Sequence, residues 1–83
     1  MPCFFGGGMT ATLSERLGRA LRKRREALGF SQESFADHID MHRTYYSAIE
    51  RGEKNLQLDT LARLSEGLGK SLWEIFKEAE SGK

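Results

Sequence analysis

From residue 12 onward, apolar side chains recur at helical intervals in five separate runs. Leu13, Leu17, Leu21 and Leu28 make the first, and Thr12 with Glu15 at its start matches the S/T-x-x-E capping box. Gly29 is placed to end that helix in a left-handed conformation. Ser31 can cap a second helix with Phe35, Ala36 and Ile39 as its inner face. Asp40 and Met41 leave a very short connection to a third helix over 42–51, which Gly52 stops. A fourth helix is expected over 58–68, with Leu58, Leu61, Leu64 and Leu68 inward and Gly69 at its end. Ser71 with Glu74 is a second capping box, opening a fifth helix through Leu72, Ile75, Phe76 and Ala79. The only proline is Pro2, and no strand-like alternation persists. The fold class read from this pattern is all-α.

Two short helices joined by almost no connector cannot lie antiparallel. They must cross steeply, as a helix-turn-helix. Ala36 is small enough to let the backbones approach, and Phe35, Ile39, Met41, Tyr46 and Ile49 supply the apolar contacts. At 100° per residue, Tyr46, Ile49 and Glu50 share one side of the third helix, and Thr44, Ser47, Ala48 and Arg51 lie on the other. Arg43 and Thr44 project from its first turn, the end that usually enters a DNA major groove.

The stretch SQESFADHIDMHRTYYSAIERGEKN, with R-x-x-R upstream and a leucine-rich fourth helix after it, resembles the Cro and lambda-repressor type of helix-turn-helix, the XRE family of regulators. The likeness covers roughly 13–76. RTYYSAIERGEKN also looks like the controller proteins of restriction–modification systems, which are small stand-alone dimers. The implied fold is a compact five-helix, lambda-repressor-like domain. Asp40 stands where the family commonly has glycine; Asp tolerates the left-handed conformation better than most residues. Tyr46 stands where Ile or Val is usual, a larger side chain beneath the recognition helix.

Arg43 is the leading candidate to read a base, because a guanidinium can donate two bonds to guanine O6 and N7. A phosphate contact is its plainer alternative. Thr44, Tyr45, Ser47 and Ala48 complete the expected base-facing set, against ordinary helix surface or, for Tyr45, half-buried packing. Ser31 and Gln32 at the start of the second helix, and Arg51, Lys54 and Asn55 after the third, are the expected phosphate contacts. The resemblance implies that Arg25 and Glu50 form a structural ion pair, while Arg22, Lys23 and Arg24 read mainly as solvated, with one or two of them near DNA. Leu72 and Phe76 with Trp73, which falls off the fifth helix's apolar stripe, are the expected homodimer surface.

Charge sharpens this reading. The chain of 83 residues has a formal net charge of only +1, which argues against a histone-like coat of nucleic acid. Six positive and two negative charges fall in 13–30, and three negative charges with no positive ones fall in 31–40, so a local basic face remains. Cys3 is the only cysteine, which fits a reducing cytoplasm, and no secretory pattern opens the chain. His38 and His42 straddle the connection without a third ligand, so no metal is expected. No nucleophile motif or phosphate-binding loop appears, so neither an enzyme nor a cofactor is expected.

The expected organisation is a flexible tail over 1–9, one domain over 10–80 and a short tail over 81–83. Docking of Cys3, Phe4 and Phe5 on the domain is the alternative for the first segment. The function this reading supports is sequence-specific binding of double-stranded DNA by a homodimeric transcriptional regulator on a palindromic operator. The rival, from another class, is an antitoxin that binds a toxin protein and represses its own operon.

Overall fold

The structure, a computed structural model, describes residues 11–81. The tail expected over 1–9, the contacts considered for Cys3, Phe4 and Phe5, and residues 82–83 lie outside the described residues. Five helices follow in order: α1 (Leu13–Ala27), α2 (Gln32–His38), α3 (Arg43–Glu50), α4 (Leu58–Leu68) and α5 (Leu72–Glu80). Among the described residues there is no strand, and no helix is long and apolar enough to cross a membrane.

The helix starts follow from local chemistry. The Thr12 hydroxyl accepts from the Glu15 N–H while the Glu15 carboxylate accepts from the Thr12 N–H, and Ser71 with Glu74 repeats the arrangement. Ser31 caps α2 through Ser34, a box the sequence pattern missed because serine replaces the usual Glu or Gln. His42 and Arg51 flank α3 as its caps, so that helix is one residue shorter at each end than expected.

α1 packs along α5 and crosses α3, α2 packs on α3, and α4 packs on α5. Leu17, Leu21, Phe35, Ala36, Ile39, Tyr46, Ile49, Leu61, Leu64, Leu68, Ile75 and Ala79 form one continuous core. The Phe35 and Tyr46 rings meet at its centre with centroids 5.1 Å apart. Three leucines depart from the expected inner faces. Leu58 is 80% exposed, and Leu13 and Leu28 are also exposed. Each lies at or beyond a helix end, where periodicity continues but the neighbouring element no longer covers it. Arg24, expected in solvent, instead donates from Nε to the Leu68 carbonyl and ties α1 to the end of α4.

Gly18 is a packing residue that periodicity gave no reason to single out. A Cβ there would collide with the backbone carbonyl of Glu50, so its absence lets α1 lie directly against the end of α3. The signal in the sequence is a glycine in a helix interior, which is unfavourable by roughly 0.5–1 kcal/mol relative to alanine unless packing requires it.

Candidate nucleic-acid interface

The turn between α2 and α3 fixes the angle at which α3 is presented. Asp40 has φ of +57°, the left-handed conformation expected of the residue in this place. The Met41 N–H donates to the Ala36 carbonyl over 2.8 Å, closing the turn. Arg63, from α4, donates to the carbonyl of Ile39 at 2.8 Å and to that of Asp40. This arginine was invisible to local sequence reading because its partners lie more than twenty residues away and are backbone atoms.

Beneath α3 lies a buried polar cluster. Arg25 donates from Nε to Glu50 Oε2 at 2.6 Å and from Nη2 to Oε1 at 3.2 Å. The same carboxylate accepts from the Tyr46 hydroxyl and from Gln32 Nε2, the latter at 2.9 Å. Arg25 Nη1 also reaches the Phe30 carbonyl at 2.7 Å. Helices α1, α2 and α3 therefore meet on one side chain. Burial alone would push the Glu50 carboxyl up; the bonds from Arg25, Tyr46 and Gln32 outweigh it and hold it below its ordinary value. The bond to Glu50 raises Arg25 despite burial, and burial first, then Glu50, raises the Tyr46 phenol, which stays neutral. The larger side chain of Tyr46 is thus wholly buried with its hydroxyl bonded.

Arg43 and Thr44 are exposed in the first turn of α3, and Tyr45 and Ser47 are half-buried. Ala48, expected to face outward, is only 6% exposed. It forms the floor of a shallow concavity bordered by Thr44, Tyr45, Arg51, Glu53 and Lys54. A residue without a side chain beyond Cβ is screened when long neighbours reach across it. Lys54 Nζ stands 5.5 Å from the Tyr45 ring centroid, so the turn after α3 folds back toward the helix. Asn55 and Ser31 are exposed at either side.

Gln32 connects the two sides of α3. Its Nε2 donates to Glu50, and its Oε1 accepts from Ser47 Oγ at 3.4 Å. Ser47 in turn accepts from Arg51 Nη1 at 2.8 Å, and Arg51 is paired with Glu53. Glu53 had no expected role, though its spacing of two from Arg51 across a glycine was the available sign. His38 stacks on Phe30, with ring centroids 5.0 Å apart, as a packing residue. On α5, Trp73 is 69% exposed with Lys77 Nζ 4.9 Å from its ring centroid, while Leu72 and Phe76 are half-buried beside it.

Known proteins share both the sequence and the shape. The helix-turn-helix family matches over residues 21–74. The control protein C.MunI from Mycoplasma sp is 50% identical over 66 residues, spanning 78% of this chain and 89% of that protein. The clp gene regulator ClgR from C. glutamicum superposes with a TM-score of 0.84 at 31% identity, covering 90% of this chain and 96% of that one. The restriction-modification controller protein C.Esp1396I, crystallised as a tetramer with its natural 35 base-pair operator, gives a TM-score of 0.73 at 31% identity over 86% of this chain and 99% of that one. With its left-handed turn, its buried Arg–Glu pair and these relatives, the chain belongs to the XRE family of helix-turn-helix proteins, close to the restriction–modification controller proteins.

Proposed function

We propose that this chain is a cytoplasmic, sequence-specific regulator of transcription that binds double-stranded DNA as a homodimer and is not an enzyme. The observation that carries the reading is the exposed first turn of α3, held at a fixed angle by the Asp40 turn and the Arg25–Glu50 pair. The operator complex of the similar controller C.Esp1396I supports it. In this reading Arg43 donates two parallel N–H groups to a guanine edge, a contact worth about 1–3 kcal/mol of discrimination. Thr44, Tyr45 and Ser47 line the same groove, and Ala48 lets its floor come close. Ser31, Gln32, Lys54 and Asn55 hold phosphates on the two flanks and set the register. Gln32 keeps one Nε2 proton for that contact beyond the one given to Glu50.

A dimer through Leu72, Trp73 and Phe76 places two recognition helices about one DNA turn apart, roughly 34 Å, and makes the operator palindromic. An unburied tryptophan beside two half-buried apolar side chains supports that surface. Sedimentation should show a wild-type dimer and a Trp73→Glu monomer; a variant that dimerises equally well would remove the surface from consideration. The antitoxin reading has no observation here in its favour, and the similarity to controller proteins weighs against it.

The decisive experiment is selection of bound duplexes from a random-sequence pool at near-physiological salt. The expected result is a palindrome with half-sites one turn apart, and loss of preference without loss of weak general binding in Arg43→Ala. No enrichment by the wild-type protein would sink the proposal.

A further inference from the structure

Arg51 does not stand out from the turn as an arginine reaching for a phosphate would. It runs back along α3, and its Nη1 donates to Ser47 Oγ, one helical turn earlier, at 2.8 Å. Its Nε and Nη2 donate to the two oxygens of Glu53 at 3.0 and 3.1 Å, a side-on fork. The position of that carboxylate is set by the backbone. Gly52 has φ of +77°, and the Glu53 N–H then donates to the Ala48 carbonyl over 3.0 Å. Arg51 therefore shares one concavity with Ala48, Thr44 and Tyr45, on the face of α3 that the DNA-binding reading offers to the groove.

An arginine has five N–H donors, one on Nε and two on each Nη. Glu53 takes one from Nε and one from Nη2, and Ser47 takes one from Nη1. One proton remains on Nη1 and one on Nη2, the number that guanine O6 and N7 accept. Charge separates the two possible partners. A phosphate drawn to this guanidinium would also approach the Glu53 carboxylate and be repelled by it. A guanine edge carries no net charge, so the carboxylate opposes its two acceptors far less than it opposes a phosphate, while fixing the plane of the donor. An isolated exposed ion pair adds little to folding, but fixing a flexible side chain in its binding conformation favours the bound state directly.

We propose that Arg51 reads a guanine in the operator and that Glu53 is the positioning residue that presents it. The inference rests on the DNA-binding reading above and reassigns Arg51 from the phosphate contact expected from sequence. Its test repeats the random-pool selection with wild type, Arg51→Ala and Glu53→Gln. Both variants should lose preference for a guanine at one and the same position of each half-site, by on the order of tenfold, while the rest of the motif survives. Replacing that guanine with 7-deazaguanine should weaken wild type and leave Arg51→Ala unaffected, a response that a purely structural role would not produce. Unchanged thermal melts, expected because both side chains are more than half exposed, show that the variants are folded. The inference is overturned if Glu53→Gln keeps the full motif and tightens on every duplex equally. It is also overturned if Arg51→Ala weakens all duplexes alike with a shallower salt dependence, the mark of a phosphate contact. A wild-type protein that enriches nothing would bring down the regulator reading and this inference together, whereas a wild-type motif that survives both substitutions brings down this inference alone.

Discussion

Two Arg–Glu pairs of nearly the same geometry lie on opposite sides of α3. Arg25 meets Glu50 through Nε and Nη2 at 2.6 and 3.2 Å, and Arg51 meets Glu53 through the same atoms at 3.0 and 3.1 Å. Their surroundings differ completely. The side chains of the first pair are 7% and 3% exposed, and those of the second are 54% and 57% exposed. Coulomb attraction is weak in water and strong where water is excluded, but so is the penalty for removing one partner. The same fork therefore joins helices in the interior, whereas at the surface, on the proposal above, it aims a side chain. Gln32 and Ser47 connect the two pairs, so the orientation of the outer one is referred to the inner one.

Breaking the inner pair should give the largest effect. Glu50→Ala leaves Arg25 buried without its carboxylate and also removes the acceptor for Tyr46 and Gln32. The expected loss is about 3–5 kcal/mol in urea unfolding, enough to unfold much of a domain this small. A variant that loses less than about 1 kcal/mol would show that water reaches the site.

Acid should reproduce part of that loss without a mutation. The Glu50 carboxyl is held below its ordinary value in the fold, so its contribution is complete above the unfolded value of about 4.3 and disappears as pH falls through the lower folded one. Glu53, held low by Arg51, and Glu74, held low by the Ser71 backbone N–H, respond in the same direction but in solvent. Urea midpoints from pH 7 to pH 2.5 should therefore fall more steeply for wild type than for Glu50→Gln, and parallel curves would assign the acid sensitivity elsewhere.

Asp40→Gly should act on the frame that both pairs share. It relieves a left-handed aspartate, with an expected gain of up to about 1 kcal/mol in thermal unfolding. A loss instead would mean that the aspartate side chain makes a contribution of its own to the turn. The smallest effect on folding is expected from the outer pair. Glu53→Ala should leave the urea midpoint unchanged within error, and a clear drop would contradict the division of labour between the two pairs.

Much of this protein was legible one element at a time. Thr12 with Glu15 and Ser71 with Glu74 announced helix starts because a cap is chemistry between residues three apart. The inward faces of α2 and α3 followed from period, and the left-handed Asp40 from the resemblance to a family that commonly has glycine there. Leu58 was misplaced because period states which side of a helix is apolar, not whether another element reaches that far. Arg24 and Arg63 were unreadable for a related reason: each bonds a backbone carbonyl, and every residue carries one.

The sequence by itself determined the five helices, the capping residues Thr12, Ser31 and Ser71, and the steep crossing of α2 and α3, since these depend on residues a few positions apart. The family resemblance added Arg25 with Glu50. Only the tertiary structure decided that Gln32 would bridge the inner cluster to Ser47, that Ala48 would be screened, and that Arg51 would turn back to Ser47 with its guanidinium forked onto Glu53. Those outcomes depend on where long, flexible side chains come to rest among neighbours from three helices. That is settled by packing and charge in space, which spacing along the chain does not encode.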